Sequence, residues 1–262
     1  GLLDAQAERL HEPNIYWGIE LRHYRLPPGV RFAAPPTTGE PAANFANRLT
    51  LLGASPASLQ VAAGDDVKVT IYWRAQQALE DDYWLSLRLV DPTGHVVSAL
   101  NDRPAGYGFP TTRWPPQTTI PGVFRLTTPP ATAPGDYTLQ ALVFSPTRGH
   151  SLDVLDARGA PAGVSAVAAA VRVLPPAQPP TLESLGLPRL LRLPMSAAIE
   201  LAATDLSDQT VRQGDTVTFA VVWRSTARSN RDETVRLRLT AGGLTLADAV
   251  VPLATTGYPT SQ

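Results

Sequence analysis

No cysteine occurs in the chain, which excludes disulfides, thiolate metal sites and cysteine nucleophiles together. It leaves an extracytoplasmic location open. Lysine is nearly absent too: Lys68 stands alone among arginines, a bias that points to a GC-rich genome rather than to a ligand. A formal net charge of −1 gives no global field to recruit nucleic acid, so no nucleic-acid partner is expected. Long apolar runs are missing: no window approaches the ~20 apolar residues of a membrane span. The nearest, "GVSAVAAAVRVL", is short and carries Arg172. The opening "GLLDAQAERL" lacks the basic start and apolar run of a signal peptide.

What is present is a composition of turns and strands. The chain has 262 residues, 44% of them hydrophobic, enough for one large or two ordinary cores. Its 26 prolines and 19 glycines follow no period, which suits short strands joined by turns better than long helices.

The organisation comes from a repeat. "VAAGDDVKVTIYWRAQQALEDDYWLSLRL" (61–89) aligns without a gap on "VRQGDTVTFAVVWRSTARSNRDETVRLRL" (211–239). The shift is 150, from 214 − 64 and from 223 − 73. Val61, Gly64, Asp65, Val67, Trp73, Arg74, Asp82, Leu87, Arg88 and Leu89 recur as Val211, Gly214, Asp215, Val217, Trp223, Arg224, Asp232, Leu237, Arg238 and Leu239. One residue is then lost in a turn, so that Pro110 and Thr111 meet Pro259 and Thr260 at a shift of 149 (259 − 110). Two copies of one unit are present.

Within the unit the period is two. Val67, Val69, Ile71 and Trp73 alternate with Lys68, Thr70, Tyr72 and Arg74, the pattern of a strand with one buried face. Leu85, Leu87 and Leu89 form the next inward set; "DPTG" is a turn, and "FRLTTPP", "APGDYTLQALVF" and "SAVAAAVRVL" supply further strands. The expected fold is all-β: tandem immunoglobulin-like antiparallel β-sandwiches, the second one incomplete. The expected divisions are an N-terminal strand and connector (1–47), a first sandwich (48–174), a proline-rich linker (175–196) and a partial second sandwich (197–262). In the first division "NIYWGIELRHYRL" reads as one isolated strand; in the linker "LPRLLRLP" reads as too irregular for a long strand yet able to dock.

Several stretches are similar to a known family. "LTLLGASPASLQVAAGDDVKVTIYWRA", "LVDPTGHVV", "GYGFPTTRW" and "APGDYTLQALVFSP" resemble the β-rich C-terminal extracytoplasmic region of bacterial family 39 glycosyltransferase-like membrane proteins, also described as dolichyl-phosphate-mannose-type mannosyltransferase-like. "HYRLPPG" resembles the segment joining their membrane part to that region. The resemblance covers residues 15–174 and, as a second copy, 197–262. It implies a non-catalytic spacer or accessory module, tethered in the cell envelope through a membrane domain that this chain does not contain. That family's reaction belongs to the membrane domain, so no catalytic residue carries over.

The strongest binding candidate is the loop "RPAGYGFPTTRW", where Tyr107, Phe109, Arg113 and Trp114 gather three aromatic rings and a guanidinium. Sugar faces stack on such rings, and this gives the alternative reading, a carbohydrate-binding module for a cell-envelope glycan. The competing reading is a plug over the open end of the sandwich, favoured by the return of Gly257, Tyr258 and Pro259. Trp73 and Trp223 share a face with core residues and are read as core. Arg74, Arg88 and Asp82, with Arg224, Arg238 and Asp232, fall on the solvent face, where cross-strand ion pairs are expected. Tyr83 and Trp84 beside Glu80, Asp81 and Asp82 make a weaker patch, with a calcium site on the three carboxylates as its sharper version.

Enzyme signatures are lacking. His11, His23, His95 and His150 are scattered without ligand spacing, and there is no GxSxG or glycine-rich phosphate loop. Asp81 and Asp82 are adjacent on the chain and cannot flank one glycosidic bond. No catalytic residue, metal or cofactor is assigned. The second copy has no counterparts for "FRLTTPP", "GDYTLQALVF" and "SAVAAAVRVL", so the edge of Val235 to Leu239 should lack its partner. The polypeptide is expected to continue past Gln262. That edge is expected to be covered by "IYWGIELRHYRL" or "LPRLLRLP", or to support self-association.

Overall fold

The computed structural model describes residues 8–11, 14–16, 19–28, 42–106, 108–185, 189–205, 212, 219, 221–253 and 260. Its elements are strands, apart from two single 3-10 turns at Thr111–Arg113 and Glu183–Leu185.

The stretch expected to be one isolated strand is two nested antiparallel ladders. β1 (Glu8–Arg9) pairs with β4 (Tyr24–Arg25), and β2 (Asn14–Tyr16) pairs with β3 (Ile19–Leu21). Tyr16 faces Ile19 at one end of the inner ladder and Asn14 faces Leu21 at the other.

The first sandwich begins earlier than expected, at β5 (Ala43–Phe45), and continues through β6 (Leu49–Ser55), β7 (Ser58–Ala62), β8 (Asp66–Ala75), β9 (Trp84–Val90) and β10 (Val96–Asp102). β11 (Thr119–Thr127), β12 (Gly135–Ser145), the short β13 (His150–Ser151), β14 (Val154–Leu155) and β15 (Pro161–Gly163), and β16 (Ser165–Leu174) complete it. One sheet runs β11-β8-β6-β5-β14-β15 and the other β10-β9-β12-β16-β7, with β13 paired to β12. The pairs are antiparallel except β16 with β7, which is parallel. The first edge of the chain is thus divided between the sheets, β6 lying on β8 and β7 on the last strand.

Alternation decides the core. Val67, Val69, Ile71 and Trp73 from β8 meet Leu85, Leu87 and Leu89 from β9 and Tyr137, Leu139, Ala141 and Val143 from β12, all buried in one cluster. The Trp73 ring packs on Phe45 with centroids 6.0 Å apart. Each such aliphatic side chain stabilises by about 1.5–3 kcal/mol through burial. The Trp73 indole N–H has no hydrogen-bond partner; its ring is held by packing alone.

The second unit keeps the opening of the first. β17 (Arg189–Pro194), β18 (Ile199–Thr204) and β19 (Val221–Ser225) form a three-stranded sheet in that order, repeating β5-β6-β8. The linker stretch therefore does not lie beside Val235 to Leu239 as expected. It pairs with the strand that follows it, because a turn of a few residues closes at far lower entropic cost than a distant edge. β20 (Thr234–Ala241) pairs with β21 (Leu244–Pro252), and among the described residues no other strand lies against it. Trp223 is half-buried rather than enclosed, while Val217 lies outside the described residues. Leu244, Leu246 and Val250 of the hairpin are exposed.

Candidate functional site

The aromatic loop folds inward. Trp114 is 3% exposed and belongs to the core cluster. Its Nε1 donates to the Phe109 carbonyl at 3.1 Å, and its ring lies 6.3 Å from the half-buried Phe109 ring. Arg113 is exposed, and Tyr107 lies outside the described residues. Trp114 therefore offers no free face on which a sugar could stack, and it does not share a surface with Arg113.

What fixes this loop is a residue that carries no aromatic signal. Thr111 is completely buried. Its Oγ1 accepts from the Tyr83 backbone N–H and donates to the Asp81 carbonyl, both at 2.8 Å, and its own N–H donates to Asp82 Oδ1 at 3.2 Å. The second copy repeats the hydroxyl staple: Thr260 Oγ1 accepts from the Glu233 N–H at 2.7 Å and donates to the Arg231 carbonyl at 3.2 Å. A backbone staple preserved across two units is a folding device. The Pro-Thr recurrence at a shift of 149 was its sequence signal.

The acidic patch is spent on ion pairs. Asp82 pairs with Arg103 at 2.6 Å and Asp81 with Arg148 at 2.8 Å, which corrects the expectation that Asp82 would pair with the arginines of its own repeat motif. It also removes the calcium reading, since both carboxylates already face guanidinium groups; among the described residues no acidic or histidine cluster could hold a metal ion. Tyr83 is 2% exposed, and burial, ahead of the neighbouring Arg48, Asp81 and Arg148 charges, pushes its hydroxyl up from the ordinary value. In the second unit Arg224 and Arg238 do form cross-strand ion pairs, but with Glu200 at 2.8 Å and Asp248 at 3.3 Å, residues outside the expected set of Arg224, Arg238 and Asp232. Arg74 has a buried Nε with no partner.

The concave feature of the first sandwich lies elsewhere, on the face of β10, β9 and β12 that points away from the core. The ladder places Asn101 beside Ser86 and Ser86 beside Leu142, then Ala99 beside Arg88 and Arg88 beside Gln140. These residues alternate with the buried leucines and so share the outer face. All of them except Gln140, together with Phe144 and the β12–β13 turn, which brings up Ser145, Pro146, Gly149, His150 and Ser151, line an open groove of ≈ 630 Å³. Ser86 and Leu142 are buried in its floor. Arg88 Nε donates to Ser86 Oγ at 3.0 Å, which turns the guanidinium along the floor. Phe144 continues into Trp84, with ring centroids 6.5 Å apart, and Arg103 lies 5.6 Å over the Trp84 ring. Of these residues, reading the sequence singled out Arg88 and His150, but as surface groups, and Trp84, as part of the acidic patch.

No protein-family model matches the chain, and a comparison with curated proteins finds no match. Among solved structures it is similar to the C-terminal domain of Wzt, at 9% identity over 55% of this chain and 83% of that one, with a TM-score of 0.36. A β-glucuronidase from glycoside hydrolase family 2 matches at 12% identity over 36% of this chain and 10% of its own length, with a TM-score of 0.25. Likenesses this distant carry no argument about ligand or activity; the β-sandwich stands on its own strand order. No described helix is long and apolar enough to cross a membrane.

Proposed function

We propose that the chain is a non-catalytic, extracytoplasmic β-sandwich module, an accessory region of a membrane-bound cell-envelope glycosyltransferase, and that it holds a saccharide chain in the outer-face groove rather than on the Tyr107–Trp114 loop. The observation that carries the reading is the groove itself. It is open along the strands, and it combines an aromatic ring (Phe144) with amide, hydroxyl and guanidinium groups (Asn101, Ser86, Arg88), the donors and acceptors that ring hydroxyls need beside an apolar patch for the sugar face. The immunoglobulin-like reading is supported by the divided first strand and by Tyr137, whose hydroxyl donates to the Ala133 carbonyl at 2.7 Å at the start of β12. A spacing role is supported by β17, which makes the linker the first strand of the second unit.

The test is affinity electrophoresis in gels carrying a panel of envelope glycans. The wild-type protein should be retarded by at least one of them. Ala99→Trp places a large ring on the exposed groove floor and should abolish retardation without unfolding the protein, whereas Arg113→Ala on the loop should leave it unchanged. A wild-type protein that no glycan retards, or binding lost with Arg113→Ala and kept with Ala99→Trp, contradicts the proposal.

A further inference from the structure

We infer that the groove is built for an acidic saccharide, a chain bearing uronic-acid carboxylates, with Arg88 as the residue that reads the charge. This rests on the groove being the binding face. The residues lining it include Arg88 and His150 but no aspartate or glutamate. Arg88 is half-buried on β9, one strand in from the edge of the sheet, its Nε engaged by Ser86 and its two terminal nitrogens left for a ligand. Several other arginines of this sandwich are spent: beyond the Trp84 end of the groove Arg103 is tied to Asp82 and Arg148 to Asp81, and on other faces Arg125 is tied to Asp66 and Arg172 to Asp136. No carboxylate pairs with Arg88 among the described residues. A half-desolvated guanidinium without a counter-charge costs free energy that a carboxylate, accepting two parallel hydrogen bonds, offsets.

A carboxylate fits better than a phosphate. Phosphate sites gather several cations or a run of backbone N–H groups, and this floor offers one guanidinium with the Asn101 amide beside it. The chain as a whole, at a net charge of −1, has no general attraction for polyanions, so preference for an acidic glycan would have to come from the groove.

The experiment compares polygalacturonate with its fully methyl-esterified form, which keeps the sugar and removes the charge, and with a phosphorylated mannan. Binding is read by affinity electrophoresis and calorimetry on the whole chain. The acid form should bind about tenfold or more tightly than the ester, the change expected when one charge-assisted pair is lost. Arg88→Gln, which can still donate to Ser86, should bring the acid form down to the level of the ester and leave the ester unchanged; Arg88→Lys should retain part of the preference. Arg158→Gln, in an exposed turn far along the chain, should change nothing. Melting temperatures of all variants show whether they fold. Equal binding of acid and ester overturns the charge reading while leaving the groove as a glycan site; a tighter phosphorylated mannan, or loss with Arg158→Gln equal to that with Arg88→Gln, also overturns it. If none of the three polymers binds but a neutral envelope glycan does, the acidic class is wrong; if no glycan of any kind binds, the groove reading falls as well.

Discussion

Tyr137 ties the start of β12 to the turn before it, and its hydroxyl is held protonated. Burial, and then the nearby Asp91 charge, push that hydroxyl from 10.0 to about 12. A raised value for a group that is neutral when protonated means stability fully present below pH about 10 and lost as pH rises towards about 12. Tyr137→Phe should cost about 1 kcal/mol near neutrality through the lost bond to Ala133. It should also flatten the alkaline fall of stability, as followed by denaturant melts across that range; an unchanged alkaline slope would place the titration elsewhere. At this scale the sequence was legible where a side chain belongs to a period: Trp73, in the series Val67, Val69, Ile71, lands in the core as expected. Trp114 and Thr111 sit in an irregular loop where no alternation exists, so composition left Trp114 open between a sugar-binding ring and the favoured plug, and passed over the hydroxyl that holds the loop.

The strands with clean alternation were legible as elements, and those that break it were not. Arg189–Pro194 carries a bulge between Leu190 and Leu193, and Arg192 adopts φ 54°; that reversal destroys the period of two in "RLLRLP" and made a real strand resemble a spacer. The β2–β3 pair was hidden in another way, since its two strands are only three residues each. β11 shows an element whose packing depends on one missing side chain. A Cβ on Gly122 would lie 1.9 Å from the Pro104 carbonyl oxygen and 2.8 Å from the Phe124 ring, so the 103–106 turn can rest on the strand only if that position is glycine. Gly122→Ala should lower stability by roughly 1–3 kcal/mol through this clash, read as a fall in the denaturation midpoint. A midpoint equal to wild type would mean that the turn is free to lift away from β11.

For the whole molecule, tandem organisation and all-β class were readable because repetition and periodicity are properties of the chain itself. The groove was not, because its floor is assembled from the outward positions of three strands, where polar residues look like ordinary solvated surface until the ladder sets Asn101 beside Ser86, with Arg88 the next outward residue on β9. The central claim is that this surface, and not the aromatic loop, is where the module meets its ligand. Backbone amide chemical-shift mapping of the whole chain titrated with oligogalacturonides tests it most directly. The account predicts saturable shifts clustered on Ser86, Arg88, Ala99, Asn101, Phe144 and His150, with residues 108–114 still; shifts centred on Phe109 and Arg113, or none on the β10-β9-β12 face at saturating ligand, would contradict it.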